Sequence, residues 1–396
     1  MKLGFIGLGL MGMAIARRLA RSGFAVTGCD RTEAHAAQFD EPGSTWTTDP
    51  LEAARDARML GVCVRDDAQL EAITADGRLF AAMAPGGLFL LHSTVSPDLA
   101  RRVAAQAAET GIGFVDAGVS GGPDYAIAGK LSLFVGASPA DFERARPWLD
   151  AIGTAFLLGP VGRGQEGKLL NNLVSFANYG TSMAILDMAA ELRLDIVQLT
   201  AALQSGSAQS YALGIVDRLY KVDGVDPARA AHIDGLHGLL AKDLRHGLAL
   251  PIAAPAAKAL IANAGGSMLA RMRRSVAEAS GTPGPRDAND IATAYFAAVN
   301  ARDMDTLVGL FAEDAVLVFP NGTRFEGRQA IAGNYAAAFA NGWPTPAPGY
   351  RFTGPDGVAV EVDVITPAGE PTRALSIFRC NLAGQIASLT VYPRAE

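Results

Sequence analysis

The stretch Lys2–Asp30 constrains this chain more than any other. Leu3-Gly4-Phe5-Ile6 is an apolar run of strand length, and Gly7-Leu8-Gly9-Leu10-Met11-Gly12 follows at once. A helix is expected from about Met11 to Arg21, broken at Gly23, and then a second strand, Ala25-Val26-Thr27-Gly28-Cys29, ending at Asp30. Each part of that order has a physical role. Gly7 permits a tight turn, Gly9 leaves the backbone open to a pyrophosphate, and Gly12 lets the helix pack on the strand. The N–H groups of Leu10 and Met11 sit where the helix presents free donors and a partial positive charge to phosphates. Asp30, at the tip of the second strand, is placed to accept ribose hydroxyls. The stretch therefore predicts dinucleotide binding. The charge of Asp30 repels a 2′-phosphate and favours NAD. Arg31 and Thr32 beside it are suited to cradle that phosphate, which keeps NADP as the alternative.

With 396 residues the chain has room for two or three domains. It is 49% hydrophobic and 19% charged, which is globular rather than disordered material. A net charge of −6 argues against a nucleic-acid partner. No uninterrupted apolar run is long enough to span a bilayer, so no membrane partner is expected. The first strand begins at the N-terminus and leaves no room for a signal peptide. Cys29, Cys63 and Cys380 fall in strand-like apolar runs without metal-ligand spacing. They read as buried reduced thiols of a cytoplasmic protein, and no metal is expected.

Strand and helix patterns alternate from Asp30 to Leu158, which predicts a doubly wound parallel α/β sheet. Ligands of such sheets sit beyond the carboxyl ends of the strands. That gathers the segments after Val64, Leu91 and Val115 around one cleft. His92-Ser93-Thr94 lies in one of them and Asp116-Ala117-Gly118-Val119-Ser120-Gly121-Gly122 in another. Ser120 with two glycines offers a hydroxyl and exposed N–H groups to a carboxylate; a plain turn is the other reading. Gly162-Arg163-Gly164-Gln165-Glu166-Gly167-Lys168-Leu169-Leu170-Asn171-Asn172 then leads into a long apolar helix to about Leu194. Lys168 and Asn172, four apart, share one helix face. A lysine at a helix start opposes the dipole, so helix stability does not explain it. A solvated surface lysine is the plain alternative. Residues 195–280 are helical and Ala-rich.

Residues 1 to about 280 resemble the β-hydroxyacid dehydrogenases, relatives of 6-phosphogluconate dehydrogenase. The resemblance rests on the glycine turn at 7–12, Asp116…Ser120-Gly121-Gly122, Gly162-x-Gly164-x-x-x-Lys168-x-x-x-Asn172 and Lys242-Asp243-Leu244, in that order. It implies a Rossmann domain over 1–161 and an all-helical domain over 162–280. It also implies interconversion of a small β-hydroxyacid with its aldehyde or keto acid. In that reaction Lys168 is the general acid/base and Asn172 orients the substrate. Ser120, Gly121 and Gly122 hold a carboxylate, and Lys242 closes the site near the nicotinamide. Thr94 and the backbone of Val64 and Arg65 contact the cofactor. Imine reductases share the architecture but usually lack the lysine; imine or other carbonyl reduction is the runner-up. Gly118 stands where proline is usual, and Tyr125 where small residues are usual, which bears on the substrate. The apolar surface of the long helix implies a homo-oligomer, a dimer or tetramer.

Gly281-Thr282-Pro283-Gly284-Pro285 reads as part of a linker over 281–286. Residues 287–396 follow a different pattern, with helices first and then a meander of antiparallel strands, which predicts an α+β domain. Tyr295–Asp303, Leu310–Val316 and Phe325–Ile331 resemble the SnoaL-like, nuclear-transport-factor-type cone fold. That family includes cyclases, isomerases, ligand binders and dimerisation modules, so the tail is the alternative carrier of function. Glu361 and Asp363 alternate with valines, which predicts a solvated strand face, and no catalytic residue is assigned in the tail.

Overall fold

The computed structural model describes residues 1–215, 227–279, 288–342, 345–354, 357–365, 371–380 and 384–393. The expected linker at 281–286 lies outside them. The chain forms two compact units, Met1–Leu173 with Ala241–Ile252, and Val174–Leu240 with Ala253–Glu396.

The strands of the first unit are β1 (Lys2–Ile6), β2 (Ala25–Cys29), β3 (Thr45–Thr47), β4 (Met59–Val62), β5 (Leu88–Leu91), β6 (Gly113–Ser120), β7 (Leu131–Gly136) and β8 (Gly153–Gly159). They form one sheet in the order β3-β2-β1-β4-β5-β6-β7-β8. Its helices are α1 (Leu10–Arg21), α2 (Glu33–Ala36), α3 (Pro50–Ala54), α4 (Asp67–Thr74), α5 (Arg78–Ala82), α6 (Pro97–Glu109), α7 (Pro123–Ala128) and α8 (Pro139–Ile152). The start of α9 (Arg163–Glu191) also belongs to it. The central strands β4 and β5 are buried at every residue, as parallel strands covered on both faces must be. One core packs around Phe5, Ile15 and Trp148. Another packs around Leu60, Leu91 and Val103. Side chains of Asp49, Asp66, Ser96 and Ser138 cap α3, α4, α6 and α8, satisfying N–H groups left free at each start.

The sheet departs from the expected parallel pattern at one place. β7 runs antiparallel to β6, while every other neighbouring pair is parallel. The connection holds only the six-residue α7, too short for a right-handed crossover, and Gly121 and Gly122 at positive φ turn the chain back. The long helix stops at Glu191, short of Leu194. Arg193 takes a left-handed φ of 57° and the Leu194 N–H returns to the Ala189 carbonyl.

The second unit carries the rest of α9, α10 (Ile196–Ser205), α11 (Tyr211–Ile215), most of α12 (Pro227–Ala249) and α13 (Pro255–Ala279). Gly180 of α9 lies against the Ala264 carbonyl of α13, where any side chain would collide. The tail follows with α14 (Ala288–Ala301), α15 (Met304–Gly309), β9 (Phe311–Val318), β10 (Arg324–Glu326), α16 (Arg328–Ala340), β11 (Thr345–Gly354), β12 (Gly357–Ile365), β13 (Pro371–Cys380) and β14 (Ile386–Pro393). The six strands run in the order β10-β9-β14-β13-β12-β11. The expected meander holds for β11 to β14, but β14 closes onto β9 in parallel. Helix α16 and four strands separate that pair, so the chain has length for a crossover. Tyr295, Phe296, Phe311, Tyr335 and Phe378 fill the core. The hydroxyls of Tyr295 and Tyr335 meet there at 2.5 Å, so neither phenol is left unpaired. Among the described residues no helix is long and apolar enough to cross a membrane.

Candidate active site

The glycine turn is built as its sequence requires. Gly7 has φ +94°, and a Cβ on Gly12 would overlap the Gly7 carbonyl. A Cβ on Gly9 meets nothing within 4 Å, so the backbone there faces open space. Leu10 is exposed and Met11 half-buried at the start of α1. Asp30, just past β2, accepts the Leu8 N–H at 2.9 Å on Oδ2 and the Thr32 N–H at 3.0 Å on Oδ1. These bonds fix the carboxylate beside the turn and leave lone pairs for two hydroxyls. Arg31 is exposed next to it. The open backbone at Gly9, the helix start and the anchored Asp30 together fit a dinucleotide.

Along the strand ends, Val64 donates its N–H to Ser93 Oγ at 2.7 Å. Lys242 of α12 reaches the same edge, donating to the Arg65 carbonyl at 3.2 Å and to the Thr94 carbonyl. Thr94 and Arg65 thus engage Lys242 through their backbone. His246, one turn on, pairs with Asp67 at 3.2 Å.

Lys168 lies in the second turn of α9 and is only 9% exposed. Burial lowers its pKa to about 8, against the pull of the Asp243 carboxylate and with help from the Lys242 ammonium. Asn172 donates to Asp243 Oδ2 at 2.8 Å and accepts from Asn171 Nδ2 at 3.2 Å, so both ends of its amide are fixed. Asn171 Nδ2 also reaches Ser120 Oγ at 3.4 Å. Lys242 Nζ lies 3.1 Å from Asp243 Oδ1 as an ion pair out of hydrogen-bond alignment. Burial pushes the Asp243 carboxyl up, and both lysines oppose it. Ser120, Lys168, Asn172 and Lys242 are therefore one connected cluster, and the first unit alone supplies it. Gly121 and Gly122 turn the chain at φ +133° and +83°. Tyr125, 45% exposed, packs against Gly121.

Asn171 and Asp243 tie the cluster together, yet the sequence assigned them no role. Asn171 is adjacent to the assigned Asn172, and Asp243 stands inside the Lys242-Asp243-Leu244 motif; those placements were the signal. Cys29 is buried, whereas Cys63 and Cys380 are only partly so. No group of potential metal ligands occurs among the described residues. In the tail, Asp363 pairs with Arg373 across β12 and β13 on an exposed face, as a solvated strand face would. A cavity of about 340 Å³ opens between Tyr295, Val299, Val362, Ser376 and Val391.

Residues 2–162 match the NAD binding domain of 6-phosphogluconate dehydrogenase, and residues 292–389 match the SnoaL-like domain. The 3-hydroxyisobutyrate dehydrogenase of Pseudomonas aeruginosa is 32% identical over 252 residues, covering 63% of this chain and 84% of that protein. The chain belongs to the 3-hydroxyisobutyrate dehydrogenase-like oxidoreductases, with a SnoaL-like domain added at its C-terminal end. The NAD-dependent L-serine dehydrogenase of the same organism is 32% identical, covering 61% of this chain and 83% of that one. The solved structure of Mycobacterium tuberculosis 3-hydroxyisobutyrate dehydrogenase with L-serine superposes with a TM-score of 0.54 at 26% identity. It covers 67% of this chain and 91% of that chain. The protein is an NAD(P)-dependent oxidoreductase of the hydroxyacid dehydrogenase kind.

Proposed function

We propose that the cluster oxidises a small β-hydroxyacid of the form HOCH2–CHR–COO⁻ to its aldehyde, and reduces the aldehyde in reverse. L-serine and 3-hydroxyisobutyrate, named for the relatives, both have that form. Bound nicotinamide supplies and removes the hydride. The chain itself must hold the substrate and move one proton. The observation that carries the reading is Lys168, a buried amine whose ammonium is destabilised enough to release a proton near neutrality. In oxidation its neutral Nζ takes the hydroxyl proton; in reduction its ammonium returns one. Asn172, immobilised between Asn171 and Asp243, orients the hydroxyl. Ser120 Oγ and the backbone around Gly121 and Gly122 receive the carboxylate. Lys242 spans the loops after β4 and β5, from where it would close over a bound nicotinamide. Asp30 makes NAD the preferred dinucleotide, with NADP second.

The test is nicotinamide absorbance on the purified full chain with NAD+ or NADP+. The panel is 3-hydroxyisobutyrate, L-serine, glycerate and 3-hydroxypropionate. Turnover that Lys168→Ala lowers by roughly 10²–10⁴-fold, with NAD+ affinity retained, supports the assignment. Turnover that survives in Lys168→Ala rejects it. The tail cavity favours a second reading, a ligand-binding role for residues 288–393, and titration of the chain with apolar acids followed by tyrosine fluorescence tests it.

A further inference from the structure

Three residues of β6 on one face of the strand each meet α9 at successive turns. Asp116, Gly118 and Ser120 alternate along the strand, so they point the same way. The Asp116 carboxylate accepts the N–H of Gly162 at 2.9 Å and of Gln165 at 2.7 Å, at the very start of α9. Gly118 lacks the Cβ that would stand 2.7 Å from Lys168 Cβ and 2.9 Å from its Cγ. Ser120 Oγ takes Asn171 Nδ2. Gln165 ties the same first turn to the next strand end, accepting from the Val95 N–H and donating to the Ser93 carbonyl, both at 3.0 Å.

The Asp116 carboxylate is fully buried, and backbone N–H groups rather than a contacting cation hold it. A serine or threonine would cap a helix without the cost of burying a charge. A carboxylate does more. It accepts from several donors at once, and its charge opposes the positive end of the helix, so it fixes rotation as well as position. Room for it is made on both sides, since a Cβ on Gly136 or Gly164 would run into its oxygens.

We propose that Asp116 is a positioning residue that locks the rotation of α9 on β6, and that Gly118 completes the lock by receiving the stem of Lys168. A helix turns 100° per residue, so a slip of one position would carry the amine out of the buried cluster and into solvent. The inference builds on the proposed role of Lys168, but its decisive readout needs no substrate.

That readout is the pH dependence of Lys168 acetylation by acetic anhydride, followed by peptide mass spectrometry on the full chain. In the wild type the midpoint is expected near 8. In Asp116→Asn, whose amide keeps one acceptor but turns its NH2 toward the other of the Gly162 and Gln165 donors, it is expected to move toward the ordinary lysine value of about 10.4. Gly118→Ala, whose one methyl group displaces the stem without touching the carboxylate, is expected to move it the same way, and decides alone if Asp116→Asn does not fold. In both variants kcat for the hydroxyacid falls on the order of 10²-fold with KM little changed, as for a reacting group misplaced by about 1 Å. A merely structural Asp116 would lower stability and leave the midpoint near 8; that result overturns the proposal. If no hydroxyacid turns over in the wild type, the proposed reaction fails while the acetylation midpoint still decides the positioning role.

Discussion

Gly9 and Gly12 stand three residues apart in one turn, yet they answer to different forces. Gly12 is forced by the protein itself, because its missing Cβ is occupied by the Gly7 carbonyl. Nothing in the protein crowds Gly9, and its φ of −66° and ψ of −175° suit any residue. Its constraint comes from the ligand. Gly9→Ala is therefore expected to keep stability within about 0.5 kcal/mol while raising the Kd for NAD+ at least about tenfold. Gly12→Ala is expected to cost about 1–3 kcal/mol of stability. Urea unfolding and an NAD+ titration on both variants check this, and equal losses of stability would refute it. Lys168 gives the other residue-scale expectation. Its lowered pKa means that the neutral amine, the base for alcohol oxidation, predominates above pH about 8. Oxidation should rise with pH and level off there, and aldehyde reduction should fall through the same pH. Rate profiles in both directions with one midpoint would agree; parallel profiles would not.

His92 and Asp116 link elements, and they respond to acid in opposite senses. His92 leaves the end of β5 and is buried between β6 and α8. Its Nε2 accepts the Trp148 indole N–H at 3.1 Å, so its Nδ1 carries the hydrogen that goes to the Ala117 carbonyl at 2.9 Å. The ring is held neutral, and burial lowers its pKa to about 4. The unfolded chain protonates it near 6.5, so stability is lost as pH falls from about 6.5 toward 4, by up to roughly 1.4 kcal/mol per unit. Burial raises the Asp116 carboxyl to about 6, so the folded chain takes up a proton before the unfolded one, and stability is gained below pH 6. His92→Gln removes only the loss. Between pH 7 and 4.5 its unfolding free energy should fall by less than that of the wild type; an equal fall would show that His92 is not the group. Neither role was legible in the sequence. Asp116 was visible as part of a motif, but its partners lie 46 and 49 residues away. The glycine turn, the sheet's apolar strands and the Lys168–Asn172 spacing were legible because local periodicity and i,i+4 geometry fix them. The antiparallel β7 and the parallel β14–β9 pairing were not, since pairing direction depends on how long connections are routed in space rather than on any strand's own residues.

Among the described residues the buried apolar side chains form three clusters. Two of them line the faces of the eight-stranded sheet, and the third lies wholly within residues 291–389. The residues that fit the dinucleotide, and the cluster around Lys168, all belong to the first unit. Binding stabilises only the structure it requires, by RT ln(1 + [L]/Kd). Scanning calorimetry of the full chain should therefore resolve more than one transition. With NAD+ at about 100 times its Kd, the transition of the first unit should gain roughly 2.7 kcal/mol, while that of the tail stays where it was. Asp30→Ala, which weakens the ribose contact, should shrink the shift without creating one elsewhere. The addition of an apolar acid that occupies the tail cavity should do the reverse, moving the tail transition alone. A single transition that moves as a whole with NAD+ would mean that the tail unfolds with the dehydrogenase, and that its cone is part of the same cooperative structure rather than a second binding module.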